Sequence, residues 1–153
     1  MKTVFEWPHQ VAADETDELG HANNEAYLRW MNAAAVAHTT ALGWPPHAYL
    51  NQGQGWVVRR HEIEYLRPAQ PGTDLVVRTW VRAIDRATSL RCYAIARRTD
   101  QALLARGQTL WAWIHFGTGR PARIPPAVSA AFPVHPEDVF AGRHPAGSDT
   151  QRS

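Results

Sequence analysis

The 153 residues contain one cysteine, Cys92. A lone cysteine closes no internal disulfide and builds no multi-thiolate zinc cage, so a disulfide-stapled secreted scaffold and a zinc-finger module are both excluded. No signal peptide is expected either. The opening Met-Lys-Thr-Val-Phe-Glu-Trp-Pro meets a charge at Glu6 and a proline at Pro8 before any apolar run develops, and a cytoplasmic chain is expected. Residues 30–58 lack Asp, Glu, Lys and Arg, but Asn32, His38, Thr39, Thr40 and the Pro45-Pro46 pair interrupt them. That stretch reads as buried rather than as a membrane span.

Several chemistries have no motif to carry them. None of the serines, Ser89, Ser129, Ser148 and Ser153, lies in a GxSxG elbow, and the eight histidines include no HExxH, so neither a serine nucleophile of the usual kind nor a metal site is expected. Gly117-Thr-Gly119-Arg-Pro121-Ala122 has the letters of a dinucleotide fingerprint. Pro121, Pro125 and Pro126 forbid the long helix whose N-terminus must hold the pyrophosphate, so the segment reads as a turn and no cofactor is expected. Cys92, in the middle of a strand, reads as a small core residue rather than a nucleophile.

What is present is a folding composition: 44% hydrophobic and 20% charged residues, well inside the globular range. The length suits one domain, read as residues 1–142, with 143–153 as a disordered tail. Net charge is +2, but residues 59–106 hold ten arginines against five acids. An anionic partner such as nucleic acid would fit that excess. Arginines on solvated strand faces are the commoner cause, and no nucleic-acid or membrane partner is expected.

Residues 2–13 read as a first strand, broken or bulged near Pro8. After an acidic loop at 14–22, Asn23 is a plausible N-cap, and Ala26 to Leu42 run without Gly or Pro to Gly43, which predicts one long helix. Tyr27, Trp30, Met31, Ala34, Ala37 and Ala41 form its stripe. Residues 55–66, 74–85, 88–99 and 102–116 are rich in Val, Ile, Trp, Tyr and Thr and are separated by turn chemistry, which predicts four more strands. Strand, buried helix, four strands implies a five-stranded, mostly antiparallel sheet wrapped around one helix, an α+β arrangement. Ala127 to Phe132 is read as one last turn.

The chemistry concentrates in Asp14-Glu-Thr-Asp17-Glu-Leu-Gly20-His21-Ala-Asn23-Asn24-Glu-Ala-Tyr27. Carboxylates before a helix often serve only as solvated turns and caps. Here Asp17 and His21 precede the N-terminus of a buried helix, whose first amides lack intrahelical acceptors. Such amides hold a developing oxyanion, and a carboxylate beside them supplies a nucleophile or general base.

At these residues the sequence resembles the hotdog-fold acyl thioesterases of the 4-hydroxybenzoyl-CoA thioesterase type. The likeness rests on Asp17-x-x-x-His21-x-Asn23-Asn24-x-x-Tyr27, on Trp56-Val-Val58-Arg59-Arg-His-Glu-Ile-Glu-Tyr-Leu-Arg-Pro68-Ala, on Pro71-Gly-Thr-Asp74, and on Ala105 to Trp113. It implies a hotdog fold and hydrolysis of an acyl thioester, expected to be acyl-CoA. The catalytic Asp then falls on Asp17 and the amide donor near Asn24. His21 resembles the active-site histidine of the fatty acyl-CoA and acyl-ACP branches. Substrate contacts are implied at Asn23, Tyr27, Trp56, Val58 and Arg59, and contacts to the nucleotide end of CoA at Arg86, Thr88 and Ser89. Where the 4-hydroxybenzoyl branch carries an Asp toward the substrate phenol, this chain has Asn32. The rivals are an acyl-ACP thioesterase or dehydratase on the same fold and a basic single-stranded nucleic-acid module.

Apolar residues on both faces of strands 74–85 and 88–99, with Trp80, Trp111 and Trp113, leave surface that a lone subunit would expose to water. A homodimer or homotetramer is the expectation. The competing arrangement has Arg78, Arg82, Arg91 and Arg97 lay their stems along the outer face.

Overall fold

The computed structural model describes residues 3–141. In chain order it contains β1 (Phe5–Gln10), a 3-10 turn (Ala13–Glu15), α1 (Asn24–Ala41), α2 (His47–Leu50), β2 (Gln54–Tyr65), β3 (Asp74–Ile84), β4 (Thr88–Arg97), β5 (Leu103–His115) and α3 (Pro126–Ala131). The five strands form one sheet in the order β1-β3-β4-β5-β2, with every pairing antiparallel. This is the sheet-around-a-helix arrangement that the sequence predicts. The expected tail from residue 143 lies outside the described residues.

Alternation along each strand sends one set of side chains to the concave face, where α1 lies. Leu75 and Val77 from β3, Tyr93 and Ile95 from β4, and Leu104 and Ala105 from β5 meet Ala26, Tyr27, Trp30, Met31, Ala34 and Ala35 of the helix in one buried cluster. A second cluster forms beyond the helix C-terminus, where Tyr49, Val81, Trp113, Ile124, Val128 and Phe132 pack together. Gly107 makes the close approach of α1 possible. A Cβ there would lie 2.9 Å from Met31 Cε and 3.0 Å from the Glu62 carbonyl oxygen.

Several expectations need correction. β1 is shorter than predicted and unbroken at Pro8, its register running evenly from Phe5 opposite Thr79 to Gln10 opposite Asp74. As an edge strand it tolerates a residue without an N–H. The helix stripe is adjusted: His38 is buried, Ala37 half-buried and Ala41 exposed. A 3.6-residue period carries 27, 31, 34 and 38 along one line and sets 37 well to its side, while Ala41 stays near that line but is the last residue of the helix. The four arginines do not share a face. Arg91 shares its strand face with Ser89, Tyr93 and Ile95 and is buried toward the helix, 3% exposed.

The outer face has a cover that the sequence reading omitted. Val134 bridges to Val81 at the edge of β3, Trp80 Nε1 donates to the Glu137 carbonyl at 2.9 Å, and the Arg106 guanidinium lies over the Phe140 ring. Residues 133–141 thus cross from β3 to β5 and shield Trp80 and Cys92, which are 4% and 0% exposed.

Substituting Gly107→Val should destabilise the fold by about 1–3 kcal/mol, the usual cost of forcing atoms into a filled core. The Glu62 carbonyl belongs to a paired strand and gives way less readily than the methionine tip. An unchanged urea midpoint would show that α1 is not held this close to β5.

Candidate active site

The loop that enters α1 is built from short backbone closures. Thr16 bridges to Ala22, the Asp17 N–H donates to the His21 carbonyl at 2.7 Å, and the Ala22 N–H donates to the Ala69 carbonyl at 2.7 Å. Gly20 turns the chain at φ 76°, the left-handed region that suits glycine. Inside this turn Asp17 Oδ1 accepts the Leu19 N–H at 2.9 Å and the His21 N–H at 3.2 Å. Among the described residues no donor takes Oδ2. Asp17 is exposed and His21 half-buried.

Asn23 ends the loop as the N-cap, its Oδ1 accepting the Ala26 N–H at 2.8 Å. That bond satisfies the third helical amide and leaves those of Asn24 and Glu25 without an acceptor from the preceding turn. The Tyr65 hydroxyl donates to the Asn24 carbonyl at 3.1 Å, and the buried Tyr27 accepts the Ala69 N–H through its hydroxyl at 3.2 Å. Burial pushes the Tyr27 hydroxyl upward. These contacts fix where the helix begins relative to β2 and the segment after it.

A residue that the sequence reading left in the background holds this assembly. Glu15 Oε1 accepts from His9 Nε2 at 2.8 Å and from the Ala12 N–H at 2.9 Å. Its Oε2 accepts from Trp30 Nε1 at 2.8 Å, and its carbonyl accepts the Asn23 N–H at 2.8 Å. Burial raises the Glu15 carboxyl, but the Ala12 amide, the His9 ring and the Trp30 indole together outweigh it and leave it below the ordinary carboxylate value. Ala12-x-x-Glu15 was the available signal, since a glutamate three residues into a turn reaches back to a free amide.

The remaining predicted residues divide. Asp17, His21, Asn23, Asn24 and Tyr27 come together at the start of α1. Trp56 and Ser89 lie elsewhere, lining a cavity beside the C-terminal half of that helix, with Val58 partly exposed on the same face of β2. Arg59 is exposed at the β2 bulge opposite β5. Arg86 is exposed on the β3–β4 turn and Thr88 half-buried next to it, whereas Ser89 faces inward. Trp30 is core, Trp44 packs against the second cluster, and Trp56 lines the cavity. Among the described residues no three His, Cys, Asp or Glu side chains gather as metal ligands, and no helix is long and apolar enough to cross a membrane.

A long helix cradled by a five-stranded antiparallel sheet defines a hotdog fold. Residues 11–132 match the thioesterase-like superfamily, and the chain belongs to that family of hydrolases. The acyl-CoA thioester hydrolase YbgC of Escherichia coli is 24% identical over 130 residues, covering 85% of this chain and 96% of the relative. Slr0204, a 1,4-dihydroxy-2-naphthoyl-CoA thioesterase from Synechocystis, superposes with a TM-score of 0.80 at 21% identity, covering 84% of this chain and 94% of that one. SAV2348 from Staphylococcus aureus, solved in complex with CoA, gives 0.79 at 15% identity and covers 86% and 82%. These likenesses establish the fold.

The Glu15 contacts carry a pH dependence of defined sign. A carboxyl depressed in the folded state contributes stability that is complete above its unfolded value, near 4.5, and is lost as pH falls through its folded value. Thermal melts from pH 6 down to pH 3 should therefore show the native protein losing its advantage over Glu15→Gln at the acid end. A gap that stays constant over that range would remove Glu15 from the loop's support.

Proposed function

We propose that the protein hydrolyses an acyl-CoA thioester to a free acid and CoA. The observation that carries this is the pairing of a fixed carboxylate with an unfilled helix start. Asp17 Oδ1 is held by two backbone amides while Oδ2 is open, and the Asn23 cap leaves the Asn24 and Glu25 amides to a ligand. With the thioester carbonyl oxygen on the Asn24 N–H, Asp17 Oδ2 either attacks the carbonyl carbon or takes a proton from the water that does. Both routes need a carboxylate within hydrogen-bond reach. Negative charge then grows on the carbonyl oxygen, where the helix amides and dipole stabilise it. Collapse of the intermediate breaks the carbon–sulfur bond, and the leaving thiolate takes up its proton through His21. On the general-base route that proton is the one Asp17 took from water; on the nucleophilic route water then hydrolyses the mixed anhydride on Asp17, which frees the acid and returns the carboxylate and the proton. Tyr27 and Asn23 act as positioning residues, since the hydroxyl of one and the carbonyl oxygen of the other are engaged by Ala69 and Ala26. Exposed Arg86 on the β3–β4 turn is the contact proposed for the nucleotide phosphates of CoA.

Substituting Asp17→Asn keeps the side-chain shape and removes nucleophilicity and basicity. Release of thiol from a panel of acyl-CoAs should fall by a factor on the order of 10² or more, with an unchanged circular dichroism spectrum. Turnover within about threefold of the native rate would overturn the assignment, threefold being far below what a general base contributes.

Assembly belongs to the same proposal. β2 is a 12-residue edge strand; Val58 within it, Tyr65 at its end and Leu66 just after it are 38%, 44% and 42% exposed. A long edge with apolar neighbours is stabilised by pairing with a second copy. Light scattering at micromolar concentration should give at least twice 17.2 kDa. A fully active monomer would refute the pairing.

A further inference from the structure

A buried positive charge lies far from the helix start. Arg91, 3% exposed, rises from β4 into the space between the sheet and α1. Its Nη1 donates to His38 Nδ1 at 2.9 Å and to Thr79 Oγ1 at 3.0 Å. Both acceptors are neutral. Burial first, and the Arg91 charge second, pull His38 down to about 4, and a ring that accepts at Nδ1 carries its proton on Nε2. Among the described residues no carboxylate pairs with Arg91, and no acceptor takes the N–H groups of Nε and Nη2.

An unpaired guanidinium in a protein interior is costly, and proteins retain one where an anion meets it. Arg91 forms part of the wall of a cavity of about 190 Å³. Tyr49, Trp56, Trp111 and Phe132 supply its aromatic walls, and Ser89, two residues from Arg91 on the same strand face, brings a hydroxyl to it. No Asp or Glu lines this space. For scale, a dry cavity of about 150 Å³ holds one benzene.

We propose that this cavity is a carboxylate site, taking a small, flat or short-chain apolar acid with its carboxylate on Arg91 and Ser89. A guanidinium fork matches a carboxylate in shape as well as charge, and the aromatic walls suit the apolar body. Within one subunit the cavity lies apart from the helix start. Ala35 and Thr39, which line it, follow Asn24 by 11 and 15 residues on α1, or roughly 16–22 Å at 1.5 Å per residue. Within one subunit, the group in the cavity is therefore a separate acid or the far end of an acyl chain of about 13–18 carbons, at about 1.25 Å per methylene over that distance.

Calorimetric titration of the full chain with benzoate and with uncharged, near-isosteric benzamide tests the site without recourse to turnover. Benzoate should bind about tenfold or more tighter, the factor that one charge-assisted hydrogen bond supplies, and Arg91→Met should abolish the preference. Should that variant fail to fold, Val36→Trp serves in its place. Val36 lines the cavity and is 46% exposed, so a bulky ring there should block binding while the fold survives. A second arm compares hexadecanoyl-CoA with its ω-carboxy analogue. Faster turnover of the carboxylated thioester, lost in the variants, identifies the ligand as the end of a substrate. Equal turnover with selective benzoate binding identifies a separate acid. The second arm alone rests on the thioesterase reading. If neither thioester is cleaved while benzoate binds selectively, that reading fails and the site stands. Equal binding of benzoate and benzamide together with equal turnover would overturn the site.

Discussion

One carboxylate joins the parts that make the site possible. Through its two oxygens and its carbonyl, Glu15 ties the end of β1 at His9, the turn at Ala12, the N-cap at Asn23 and the first buried turn of α1 at Trp30. These groups come from four places along the chain, so their relative positions depend on a shared partner. Each bond is charge-assisted or made to a group with no other acceptor, which makes it stronger than an exposed pair of equal length. The open amides of Asn24 and Glu25 and the turn at Asp17 are held in register because Glu15 is not free to rotate.

The placement of α1 governs the rest. The helix packs on β1 and β3, and Gly107 lets it settle onto the sheet through Met31. The concave side of β5 and β2 is less fully covered, and there the structure keeps its aromatic-walled cavity and its exposed Val58 and Tyr65. A helix set over one half of a sheet thus yields two environments. Its N-terminus faces the loop with open donors, and its C-terminal half borders an apolar space with a buried guanidinium at the wall.

Much of this was legible in the residues. Turn chemistry at Pro68 to Gly72 and at Asp100-Gln101 delimited the strands to within a few residues, and the gap in Gly and Pro between Ala26 and Leu42 gave the helix. Asn23 was readable as a cap because its side chain competes for nearby amides. Arg91 was not, since alternation that is apolar on both faces gives no rule for which way a charge turns. Only the neighbours across the strands, Thr79 and the distant His38, decide it. The cover formed by residues 133–141 was also illegible, because its contacts are made to Trp80, Arg106 and Val81, far away in sequence and without a repeating pattern.

The sheet order has a consequence for how the chain reaches its structure. Among the described residues β2 is the second strand to be synthesised, yet its one partner in the sheet is β5, the fifth. Chains emerge N-terminal end first, so residues 54–65 must remain unpaired until residues 103–115 are available. During that interval the Trp56-Val57-Val58 run is a strand without a neighbour, the kind of segment that seeds association between chains. Arg59 and Arg60 follow it directly, and Glu62 and Glu64 continue the charge along the strand. In the finished protein Glu62 and Glu64 meet Gln108 and Arg106 of β5. Before that they act as gatekeepers, keeping an unfinished edge soluble until its partner arrives.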